Sequence, residues 1–268
     1  MDHHHEHRAP EPTPFGLGEW SVPALLILLL TAYLVAVLSL RERGTRWPMT
    51  RTLAWLGGLL LVGAGLVGPL AERAHHDFVA HMAGHVLLGM LGPLFLVLAA
   101  PATLALRVLP VGAARRLSRL LTSPPATFLT NPFIAALLNI GGLWVLYRTG
   151  LYTATHTDPL LHAAVHIHVP AAGYLFTFAI LGGPDPAPHR LSAPWRAWAL
   201  VASIAAHNVL AKVLYATPPE GVPAEQARAG AELMYYGGAP VEIALIFLVC
   251  RPWLLPSREH APPRRSLP

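Results

Sequence analysis

The chain has 268 residues, 54% of them hydrophobic and 12% charged, with a mean hydropathy of +0.47 and a formal charge of +5. A soluble globular domain carries about 25% charged residues, so this chain lacks the charge to clothe a water-facing surface. Disorder, a basic nucleic-acid-binding domain and a secreted disulfide scaffold are excluded, and an all-α, polytopic bundle of membrane helices is left.

Residues 1–20 form a polar leader rich in histidine (His3, His4, His5 and His7). It is too polar to be a cleavable signal, so the first apolar run is read as a retained span. A crossing helix needs about 20 mostly apolar residues. Seven runs qualify within a membrane domain of residues 21–251: Val22–Leu40, Leu53–Ala71, His81–Ala100, Phe128–Tyr147, Leu160–Leu181, Pro194–Leu214 and Leu233–Cys250. A Pro/Arg-rich tail, 252–268, follows. Ser123-Pro124-Pro125 and the Pro-rich stretch 183–188 break helices between spans. Gly57, Gly58, Gly63, Gly65, Gly68, Gly141 and Gly142 suit close helix approach.

Alternate connections hold fourteen of the nineteen Lys and Arg residues, from Arg41, Arg43, Arg46 and Arg51 in the first to Arg251, Arg258, Arg264 and Arg265 in the tail. The positive-inside rule then puts the N-terminus outside and the C-terminus in the cytoplasm.

With that orientation the histidines collect on the outer side. His81, Met82 and His85 open the third span, after His75 and His76. His162, His166 and His168 open the fifth, and His207 lies toward the outer end of the sixth. His81 and His85 are four apart, as are His162 and His166, so each pair stacks on one helix face. His156, His168 and His189 are read as interfacial or packing residues.

Imidazole is the commonest metal ligand, and a thioether adds a preference for Cu(I). The ligand set therefore points to copper, with zinc behind it, since zinc more often recruits Cys or a carboxylate. Cys250 is the lone cysteine. Met234 opens the seventh span at the same level, beside the interfacial Tyr235 and Tyr236. Glu242 sits near mid-bilayer as either a relay group or a helix–helix hydrogen bond.

The string Phe78-Val79-Ala80-His81-Met82-Ala83-Gly84-His85-Val86-Leu87-Leu88 resembles the signature of the bacterial CtaG-type cytochrome c oxidase assembly factors. Gly92-Pro93-Leu94, Ala100-Pro101, His162-x-x-x-His166 and Leu233-Met234-Tyr235-Tyr236-Gly237-Gly238 resemble later motifs of that family, over about residues 20 to 255. Ala231, Glu232 and Tyr235 depart from it, standing where many relatives carry an Asp-Gln pair and a Trp.

The resemblance implies a seven-helix protein of the bacterial plasma membrane that helps mature haem–copper oxidase by supplying copper to an oxidase subunit. His81, Met82, His85, His162, His166 and Met234 lie at its motif positions, and His207 is added from its level in the bundle. The expected partners are the oxidase and the lipid bilayer, and no enzymatic reaction is expected.

Two other functions compete. A bis-histidine cytochrome would use single histidines at matched levels rather than stacked pairs, so haem is not favoured. A metal or proton transporter would need polar groups at the cytoplasmic ends of the spans, where the sequence has few.

Overall fold

The structure is a computed structural model that describes residues 20–187 and 189–254. His3, His4, His5, His7 and the tail beyond residue 254 lie outside the described residues. The described chain is all-helical. Six of its helices are long and apolar enough to cross a membrane, which defines a multi-pass membrane protein.

The helices are α1 (Ser21–Glu42), α2 (Met49–Leu66), α3 (Pro69–Ala74), α4 (Phe78–Val86), α5 (Gly92–Leu98), α6 (Pro101–Val108), α7 (Val111–Leu121) and α8 (Pro124–Leu129). They continue with α9 (Pro132–Ala136), α10 (Gly142–Arg148), α11 (Leu151–Ala154), α12 (Pro159–Leu181), α13 (Ala193–Ala216) and α14 (Ala224–Leu254). A π segment, Leu87–Leu91, joins α4 to α5, and a second, Leu137–Gly141, joins α9 to α10.

Several spans differ from the sequence expectation for local reasons. α2 stops at Leu66, short of Ala71, because Gly68 takes a positive φ of 84° and Pro69 starts a new helix. The third span begins at Phe78, where the Asp77 carboxylate accepts from the amides of Val79 (2.8 Å) and Ala80 (3.4 Å). It breaks at the buried Ala100, whose φ is 55°. Beyond the break, the Asp185 carboxylate accepts from the amides of Ala102 and Thr103 and holds α6.

The expected fourth span, Phe128–Tyr147, is divided. Phe128 belongs to α8, and the apolar helix Pro132–Arg148 restarts after an Asn131 cap. The last span begins at Ala224 rather than Leu233. Its buried stripe of Ala227, Ala231, Met234, Gly238, Val241, Leu245 and Val249 keeps one spacing of three and four through the polar first turns.

Two apolar clusters divide the bundle. One gathers Phe78, Met82, Leu146, Leu210, Leu214 and Met234. The other gathers Leu94, Ala135, Phe176, Leu200, Leu245 and Val249. Pro132–Arg148 contributes Ala135 to one and Leu146 to the other, so it runs alongside its neighbours between them. α1 packs on α2 and α6 through a third cluster around Tyr33, Trp55 and Leu104, and most of its other side chains face outward.

Candidate functional site

Histidines line the molecule from its surface inward at one end. His75 and His76 are exposed, His81, His162 and His166 are half-buried, and His85 and His207 are buried at 7% and 2% exposure. The helices that carry them start alike. Asp158 caps α12 through the amides of Leu160 (2.8 Å) and Leu161 (3.2 Å), as Asp77 caps α4. The pattern Asp-x-x-x-His-x-x-x-His therefore occurs twice, as Asp77/His81/His85 and Asp158/His162/His166. Each cap fixes its first histidine one turn into the helix and the second two turns in.

The outer histidines form a ladder of rings. His76 and His75 have centroids 6.4 Å apart, His75 stacks on His162 at 5.2 Å, and His162 stacks on His166 at 4.0 Å. His166 Nδ1–H donates to the His162 carbonyl (2.9 Å), which leaves the Nε2 lone pair free to act as an acceptor or ligand. His156 has the same arrangement on the Tyr152 carbonyl (3.0 Å). His81 sits in an aromatic cage of Phe78, Tyr147 and Tyr152, with its Nε2 hydrogen-bonded to the Tyr147 hydroxyl (2.9 Å). Burial pushes the Tyr152 phenol up to about 12, so it stays protonated. His168 donates through Nε2 to the Leu138 carbonyl (3.1 Å), a packing role.

The two histidine pairs meet only in part, since His162 is not on the cavity that the other three line. His81 and His166 line a cavity of about 40 Å³ together with His85. His85 also lines a second, deeper cavity of about 30 Å³ with His207 and Glu242. It is the one histidine shared by the two cavities, and its ring centre lies 5.9 Å from that of His207. His207 Nδ1 is 2.9 Å from Glu242 Oε1, a buried contact between α13 and α14.

Met82 and Met234 are fully buried in the apolar cluster between α4 and α14. Met90, which the spacing argument passed over, lines the deeper cavity instead. Among the described residues no three His, Cys, Asp or Glu side chains are grouped to hold a metal ion.

Fold and site define a multi-pass helical membrane protein with a row of histidines that runs inward from one end. The chain belongs to the cytochrome c oxidase caa3 assembly factor family, whose model matches residues 31–255. The family resemblance read from the sequence is thus correct. Two relatives described as uncharacterized, from Mycobacterium bovis and Mycobacterium tuberculosis, are each 36% identical over 217 residues, 74% of this chain and 32% of theirs. A third, from Mycobacterium leprae, is 32% identical over 177 residues, 63% of this chain and 27% of its own length. The chain spans about a third of the length of these curated relatives. No solved structure matches it.

Proposed function

We propose that the protein assists assembly of a caa3-type cytochrome c oxidase by collecting copper at its histidine-lined end and passing it to an oxidase subunit. The observation that carries this reading is the stacked ladder His75, His162 and His166, which leads from exposed to half-buried imidazoles. Successive sites of one or two imidazoles hold an ion loosely enough to hand it on by ligand exchange. Zinc, which prefers four fixed ligands, suits such a path less well than copper.

The orientation completes the reading. Pro132–Arg148 serves as a seventh crossing segment, its 17 residues covering about 26 Å at 1.5 Å per residue. With fourteen of the nineteen Lys and Arg residues on the other side, the histidine end faces outside, as does the N-terminus, while the C-terminus is cytoplasmic. The outer-facing path would take copper from, and return it to, the extracytoplasmic side. The protein catalyses no reaction in this account. Cavities of about 40 and 30 Å³ beside the buried histidines suit a single ion or a water-sized group.

Oxidase purified from cells lacking this chain should carry less copper per haem than oxidase from wild-type cells. Wild-type protein should restore the ratio, and a His162→Ala/His166→Ala variant should not. An unchanged copper-to-haem ratio in the deletion strain would overturn the reading. Replacing His81 and His85 by Ala should remove copper held within the helices, and unchanged copper in that variant would overturn their assignment.

A further inference from the structure

Between the two apolar clusters lies a layer of buried polar groups. His85 comes from α4, Ser203 and His207 from α13, and Glu242 from α14. The Nε2 atoms of His85 and His207 and the Ser203 hydroxyl have no protein hydrogen-bond partner, although all three are buried and their residues line one cavity of about 30 Å³. Buried polar atoms are nearly always satisfied, because desolvation without a partner is costly. Two orphaned imidazole nitrogens on one small cavity therefore point to a ligand.

Both π segments meet at this cavity: Gly89 and Met90 line it from the first, Asn139 and Ile140 from the second. Such bulges are frequent at functional sites. The first has a direct local effect. Residues five apart lie about 140° apart around a regular α-helix, but a π turn bonds i to i+5 and brings them to one side. With the π segment starting at Leu87, two residues beyond His85, Met90 comes round to line the same cavity as His85. Gly238 on α14 leaves room for His207 and Met90, since a Cβ there would lie 3.1 Å from His207 Cε1 and 3.2 Å from the Met90 sulfur.

We propose that His85, His207 and the Met90 thioether form a buried Cu(I) site, with Glu242 as its counter-charge. The inference rests on the copper-handling reading above and adds the place where the ion dwells. Two imidazoles and a thioether form a soft, low-coordinate set suited to Cu(I). Glu242 accepts from His207 Nδ1–H, which turns the Nε2 lone pair toward the cavity, as carboxylates behind metal-binding histidines do. Its single negative charge balances a monovalent ion. A divalent ion would leave a net charge in the low-dielectric middle of the bundle. His85, shared with the outer cavity, is the step between the ladder and this site.

The test is Cu(I) titration of detergent-purified full-length protein against bathocuproine disulfonate, with X-ray absorption at the copper edge. Wild type should hold one equivalent more than His85→Ala or His207→Ala, with one sulfur in the copper's first coordination sphere. Met90→Leu should lose that sulfur, Met82→Leu and Met234→Leu should keep it, and Glu242→Gln should weaken binding at least tenfold while remaining folded. Glu242→Gln and Met90→Leu are near-isosteric, so they keep the test informative if a histidine variant fails to fold. Unchanged stoichiometry in both histidine variants, or sulfur retained in Met90→Leu, would overturn the site. If copper binds as described while oxidase from the deletion strain is copper-replete, the assembly reading fails and the site stands. If oxidase copper falls but this equivalent is absent, the site alone fails.

Discussion

His207 and Glu242 face each other from neighbouring helices, 2.9 Å apart and both buried. Removing the carboxylate strands a buried Nδ1–H, so Glu242→Ala should lower stability by about 1–3 kcal/mol, seen as an earlier unfolding midpoint in detergent. Glu242→Gln keeps an acceptor and should unfold near wild type; equal midpoints for Glu242→Ala and wild type would refute the pairing. At the surface, the exposed His75 and His76 stand first on the proposed route for copper. A His75→Ala/His76→Ala variant should therefore load copper more slowly than wild type, and loading at the wild-type rate would contradict capture by these rings. Much of this was legible in the sequence: paired histidines at i and i+4 announce shared helix faces, and the Asp-x-x-x-His-x-x-x-His repeat was open to view. The role of Met90 was not. Its five-residue distance from His85 signifies nothing on a regular helix, and only the π turn makes it count.

At the scale of elements, the small residues do the positioning. Gly173 on α12 packs directly on the backbone of the first π segment, where an added Cβ would fall on the Gly89 carbonyl oxygen. Gly92 is similarly constrained, its missing Cβ lying 2.7 Å from the Leu87 carbonyl oxygen and 2.8 Å from Val62. Gly173→Ala should therefore push α12 off the π segment and cost about 1–3 kcal/mol, measured as a lower unfolding midpoint. A variant as stable as wild type would show that the contact is soft. Hydropathy found the spans, since apolar length is what a bilayer demands, but it missed their ends. Gly68, the left-handed Ala100 and the Asn131-Pro132 restart are local backbone events, and an average over about 19 residues smooths them away. The π segments leave no mark in hydropathy either, because inserting one turn of different pitch does not alter composition.

At the scale of the whole molecule, the apolar clusters enclose a polar layer that opens toward one end through His85 and the outer cavity. In the proposed function this one-sided arrangement lets copper exchange with a single compartment. The proposed orientation rests on charge alone, and it predicts that a reporter fused at the C-terminus is active only in the cytoplasm. Activity of an extracytoplasmic reporter there would invert the scheme and turn the ladder inward. The most direct measurement is metal content and the visible spectrum of the detergent-purified full chain after growth with copper. The account predicts bound copper that declines when His85 and His207 are replaced, with no Soret band. A Soret band, or copper content unaffected by those replacements, would contradict it.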